Sequence, residues 1–174
     1  MNETSKLKLK LPTDADLVTP DDYNGNFTKL ESYVTSLTQI CSADSPSALT
    51  LTMALKQISF SNIVKTGNVF SLSGGGVKVS EAGFVMVDAH ININSVKAAD
   101  RVSCDIVKNG ATFYQYGLEL SYGWEATIDM TSKLVPVAAN DILAVKVRNE
   151  TESRGEINAP ATYLNVRFFK DLNV

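Results

Sequence analysis

Hydrophobic and polar positions follow two different periods along this chain, and the change comes near residue 50. In 23-YNGNFTKLESYVTSLTQIC-41, Tyr23, Phe27, Leu30, Val34, Leu37 and Cys41 recur at steps of four, three, four, three and four, a narrow helical stripe. Thr19 is placed to cap its start, Pro20 suits the first helical position, and Asp21 and Asp22 complement the positive helix end. The spacing therefore predicts a helix over 19–41. Phe27, Val34 and Cys41 occupy a positions and Tyr23, Leu30 and Leu37 occupy d positions. A surface helix of a globular domain shows a broader stripe, whereas an a/d seam is what helices from separate chains bury against each other. The two readings are a short coiled coil and a helix packed on the chain's own β domain. The coiled coil is the favoured one.

After the Ser/Thr-rich stretch 42-SADSPSALT-50 the period falls to two. In 83-GFVMVDAHINI-93, Val85, Val87, Ala89, Ile91 and Ile93 share one face, while Phe84, Met86, Asp88, His90 and Asn92 share the other. The first face belongs in a core. The second begins apolar and turns polar, which predicts that part of it is buried against something outside the chain's own core. Further strands are expected near 51–60, 67–72, 101–108, 111–120, 124–134, 142–149 and 161–169. Turns are expected at 74–76, at Asn109-Gly110, at Tyr122-Gly123 and at Asn140-Asp141. This succession points to an antiparallel sandwich or barrel. At the other end, Leu7, Leu9 and Leu11 alternate with lysines up to Pro12; this is either a strand-like tail that needs a pairing partner, such as an assembly supplies, or a basic, frayed terminus.

Composition changes this picture little. The 174 residues are 44% hydrophobic and 20% charged, with a formal net charge of -3, which gives no electrostatic case for nucleic acid or an anionic membrane surface. No run reaches the roughly 20 apolar residues of a membrane-spanning helix. The first residues carry charge without an apolar stretch behind them, so they do not read as a secretory signal. On that reading the sequons at Asn2, Asn26 and Asn149 are chance matches. Cys41 and Cys104 fall in unrelated segments and read as buried free thiols.

Candidate chemistry is sparse. His90 is the only histidine, no G-x-S-x-G elbow is present, and neither cysteine lies in a nucleophile context. No zinc spacing or EF-hand loop appears, and 74–76 lacks the Lys-Ser/Thr of a phosphate loop. The expectation is a non-enzyme with no catalytic residues, no metal and no cofactor. In 113-FYQYGLELSYGW-124, Tyr114, Tyr116, Tyr122 and Trp124 have two readings. They form an aromatic platform for sugar rings, or Tyr114 and Tyr116 are ordinary strand residues and Trp124 is core.

Two sets of residues resemble known families. The segments 83-GFVMV-87, 107-VKNG-110, 135-VPVAANDILAVKV-147 and 161-ATYLNVRFF-169 resemble the trimeric jelly rolls of the tumour-necrosis-factor and complement-head type. Asn140 stands where that pattern usually has Gly, and Asn also tolerates a left-handed turn. The segment 9-LKLPTDADLVTPDDYNGNFTKLE-31 resembles the start of bacteriophage tail and baseplate proteins through Asn24, Asn26, Phe27 and Leu30. Together the resemblances imply a mainly β, TNF-like antiparallel jelly-roll sandwich preceded by one N-terminal α-helix. The implied organisation is an attachment segment at 1–18, a trimerising helix at 19–41, a linker at 42–50 and a head at 51–174. The implied protein is a homotrimer on a virion tail, made in the host cytoplasm. Its helix interface would be Tyr23, Phe27, Leu30, Val34, Leu37 and Cys41, and its head interface Phe84, Met86 and His90. The partners implied are other tail or baseplate proteins at the N-terminal segment and a host-surface saccharide at the head. The alternative is a structural baseplate component with no glycan site.

Overall fold

The computed structural model describes residues 2–3, 10–11, 26–27, 38–44, 49–121 and 123–170. The chain divides into two compact units, Met1–Thr38 and Gln39–Val174. In the first, β1 (Asn2–Glu3) pairs antiparallel with β2 (Lys10–Leu11), so part of the alternating tail finds its partner in the terminus itself. Asn26 and Phe27 are helical. Of the predicted seam, Tyr23, Leu30, Val34 and Leu37 lie outside the described residues.

The second unit is a sandwich of two antiparallel sheets. Its strands are β3 (Thr38–Asp44), β4 (Lys56–Gln57), β5 (Asn62–Lys65), β6 (Phe70–Ser73), β7 (Gly76–Val79), β8 (Gly83–Val96) and β9 (Arg101–Lys108). They continue with β10 (Ala111–Glu119), β11 (Trp124–Thr131), β12 (Val135–Val137), β13 (Ile142–Asn149), β14 (Glu156–Ile157) and β15 (Tyr163–Phe169). One sheet runs β10-β9-β13-β7-β6, with β4 also on β13. The other runs β11-β8-β15-β3-β5, with β12 and β14 also on β8. The chain passes repeatedly between the sheets, from β7 to β8, β8 to β9, β10 to β11 and β13 to β15, as a jelly roll does.

Period-two alternation builds the core. Val85, Val87, Ala89, Ile91 and Ile93 of β8 are buried, together with Leu164, Val166 and Phe168 of β15. They meet Val102, Cys104 and Ile106 of β9 and Leu143, Val145 and Val147 of β13. Phe70 and Phe168 join the two sheets edge to face, with centroids 6.4 Å apart. The Asn109-Gly110 loop between β9 and β10 has φ of 52° and 83°, the left-handed pair that a two-residue hairpin needs. Asn140 likewise takes φ 76°.

The structure corrects the end of the predicted helix. Residues 38–44 form β3, so Cys41 is not part of a helical seam and the stretch 42–50 begins inside a strand. The four-residue step from Leu37 to Cys41 is coincidental, and the local period is two. Cys41 and Ala43 point into the core while Ile40 and Ser42 point out, and Cys41–Asp44 pair with Lys65–Asn62 of β5. Hydrogen bonding to β5 and burial of Cys41 against the sandwich outweigh the weak helical continuation. The predicted strand near 51–60 is reduced to Lys56–Gln57. The strands at 62–65 and 76–79 were not anticipated.

Candidate functional site

The outward face of the β11-β8-β15-β3-β5 sheet holds the candidate head-interface residues Phe84, Met86 and His90. Alternation puts Phe84, Met86, Asp88, His90 and Asn92 of β8 on it. Register then fixes their neighbours. Phe84 lies beside Phe169 and Pro136, Met86 beside Arg167, Asp88 beside Asn165 and Thr131, and His90 beside Tyr163 and Asp129. Ile40 on β3 and Val64 on β5 extend the face, 47% and 69% exposed. The apolar side chains collect toward Phe84 and Phe169, and the polar ones toward Asn92.

The polar end is internally bonded. His90 Nδ1 lies 2.6 Å from Asp129 Oδ1, and toward an ionised carboxylate Nδ1 must be the donor. The imidazole stacks on the Tyr163 ring at 4.9 Å and 10°, so two strands fix its plane. Arg167 reaches Asp88 at 2.8 Å. Asn92 is buried, donating to Glu125 (2.6 Å) and Thr127 (3.2 Å) and accepting from Asn158 (2.9 Å). This arrangement orients side chains on a flat sheet. Among the described residues no serine, threonine or cysteine is hydrogen-bonded to His90, and no group of three or more His, Cys, Asp and Glu is placed to hold a metal ion.

Of the four aromatic residues of the proposed platform, the three described ones fall on two different sheets. Tyr114 and Tyr116 lie on β10, opposite buried Ile106 and Cys104, and Tyr114 packs on the core. Trp124 starts β11 in the other sheet and is 86% exposed, so of its two readings the core one does not hold. Tyr122 lies outside the described residues. Sequence reasoning missed Ile40, Val64, Tyr163 and Phe169 as members of the sheet face. The alternation within 161-ATYLNVRFF-169 carried the signal for the last two, since it separates Leu164, Val166 and Phe168 from Tyr163, Arg167 and Phe169.

Buried polar groups brace the loops. Asp100 is fully buried and paired with Arg154. The Arg154 hydrogen bond is the main cause holding its carboxyl below the usual carboxylate range, against burial and with help from the Lys97 N–H and Asn149. Asn149 is also fully buried, donating to Arg154 O and accepting from Thr151 N and Glu152 N. The folded chain therefore does not present this sequon for modification. Cys41 and Cys104 are buried and free.

No protein-family model matches the sequence, and no curated protein sequence matches it. Solved structures do match in fold. Murine APRIL at pH 5.0 aligns over 76% of this chain and 99% of its own, at 11% identity and a TM-score of 0.61. Murine APRIL at pH 8.0 aligns over the same shares at 10% identity and a TM-score of 0.60. These neighbours are tumour-necrosis-factor-family ligands with a jelly-roll fold, so the TNF-like sandwich expected from the strand motifs is the fold observed.

Proposed function

We propose that this chain is the homotrimeric receptor-binding protein of a phage-like tail. In this reading the N-terminal segment attaches to other tail or baseplate proteins and the β head meets a saccharide on the host surface. The observation that supports the homotrimer is the outward sheet face, where Ile40, Val64, Phe84, Met86, Tyr163 and Phe169 gather at the surface of one chain. Each such side chain contributes roughly 1.5–3 kcal/mol when fully buried, and packing around a three-fold axis covers this face. Trimerisation then supports weak saccharide sites, because later binding events become effectively intramolecular. The N-terminal signature at Asn24, Asn26, Phe27 and Leu30 supports the tail assignment.

Light scattering after size exclusion tests the assembly: the full chain should elute at three times its 18.9 kDa mass, and a monomer overturns the proposal. Binding to bacterial cells or purified cell-wall polysaccharide tests the function. Saturable binding is expected, and a trimer that binds neither is the structural baseplate component instead.

A further inference from the structure

We propose that the corner made by residues 95–98, Gly123 and Trp124 is a saccharide site selective for a pyranose that carries a carboxylate. This rests on the receptor-binding reading and gives it a location and a ligand class.

The first observation is where Trp124 points. Ala126, Ile128 and Met130 of β11 are buried, and continued alternation would carry Trp124 inward, opposite buried Val96. Instead its φ is 97° and the register shifts between Trp124 and Glu125, leaving the indole exposed. Irregularities of this kind re-aim side chains beside functional sites. A tryptophan gains much from burial, so a backbone that turns it into solvent calls for a reason.

The second is concentrated strain. Five non-glycine residues have positive φ among those described. Asn109 and Asn140 are turn asparagines, which tolerate it. Ser95 (59°), Ala99 (66°) and Trp124 (97°) do not share that excuse; Ser95 and Trp124 line this corner, and Ala99 directly follows its lining turn. Such outliers persist where surrounding structure over-determines them, and they cluster at ligand sites.

The third is a built cavity. Ser95, Val96, Lys97, Ala98, Gly123 and Trp124 line about 340 Å³, near the lower end of the roughly 300–1,000 Å³ of ligand pockets. That suits one or two sugar rings. A Cβ on Gly123 would stand 3.2 Å from Val96 O and 3.3 Å from Lys97 Cα, so glycine lets this strand start lie against the turn. Beneath it, Lys97 N donates to Asp100 Oδ2 at 2.9 Å, Arg154 Nε holds the same oxygen at 2.7 Å, and Ala99 N donates to Leu120 O at 2.7 Å. The turn is thus fixed before any ligand arrives.

The chemistry follows from the lining. The indole offers a flat apolar surface for the C–H face of a pyranose. The Ser95 hydroxyl both donates and accepts. The exposed Lys97 ammonium is matched by a carboxylate on the ring, a charge-assisted bond stronger than one to a neutral hydroxyl.

Trp124 is the chain's only tryptophan, so intrinsic fluorescence reads this corner directly. Titration of the full chain with alginate oligosaccharides, whose rings each carry a carboxylate, should give a saturable change in emission. Neutral dextran oligosaccharides should bind at least tenfold more weakly. Lys97→Ala should lose at least tenfold for alginate while keeping the wild-type melting temperature and mass. No saturable response to alginate, an equal response to dextran or to poly-glutamate, or full binding by Lys97→Ala overturns the site. Trp124→Ala separates the two proposals in an adsorption assay on bacterial cells. If the wild type adsorbs and Trp124→Ala adsorbs equally, this site is wrong and the receptor-binding proposal stands. If the wild type does not adsorb, the receptor-binding proposal falls.

Discussion

At the scale of single residues, the buried groups have the clearest consequences. Burial pushes the Cys41 thiol up to about 12, against a backbone hydrogen bond with Val166 and the Lys65 charge. Burial and the Asp105 charge push Cys104 up as well. Since the thiolate is the reactive form, neither cysteine should react with Ellman's reagent at pH 8 in the native protein. Two thiols per chain should appear on unfolding, and a fast-reacting native thiol would contradict the burial. Asp100 gives a pH prediction of definite sign. Its folded pKa is lowered, chiefly by Arg154, so its stabilising effect is present above the ordinary carboxylate pKa near 3.9 and is lost as pH falls through the lower folded value. Asp100→Ala should cost about 2–3 kcal/mol at pH 7, below the roughly 3–5 kcal/mol of a fully buried pair, because the Arg154 left behind keeps partial access to water. The gap in melting temperature from wild type should narrow as pH falls below the ordinary carboxylate pKa and close only below the lower folded value, where the wild type also loses the charge. A constant gap across pH would mean that packing, not charge, is what Asp100 contributes.

At the scale of elements, hairpins show local chemistry setting register. Asn109 takes the left-handed φ of the β9–β10 turn, accepts the Ile142 N–H at 2.9 Å and donates to Asp141 at 2.7 Å. One turn residue thereby ties this hairpin to the start of β13. Asn109→Ala should destabilise by about 1–2 kcal/mol through backbone strain and lost hydrogen bonds. A smaller loss in urea unfolding would mean the turn bears little on the fold. These turns and the long alternating strands were legible in the sequence because their determinants are local: Asn-Gly fixes a two-residue loop, and period two in β8 fixes its faces. The strand at 38–44 was not legible, because the four-residue step to Cys41 mimicked a helix and only pairing with β5 and β15 reveals the true period. For Trp124 the sequence left an exposed and a core reading open, and only the positive φ at the start of β11 decides between them. Much of the sheet face was readable from β8 alone, whereas Ile40 and Val64 join it only through strand order, a long-range property.

At the scale of the whole molecule, the question is what covers the outward sheet face. Phe84 and Ile40 belong to it and not to the core cluster, so each can be changed while the sandwich keeps its interior. Phe84→Asp and Ile40→Asp would each place a charge in the proposed interface without a partner, which is unfavourable by several kcal/mol when the group is buried. Each variant should therefore fall from a trimer toward the 18.9 kDa monomer in light scattering while its far-ultraviolet circular dichroism stays that of the β sandwich. Retention of the wild-type mass by both variants would place the interface elsewhere. Loss of the β signal would show that the face is needed for folding of the single chain. The Lys97 and Trp124 corner lies on the exposed end of the β8–β11 pairing, so Lys97→Ala should leave the mass unchanged. Loss of trimer in Phe84→Asp with retention in Lys97→Ala would assign assembly and ligand capture to separate surfaces of one head.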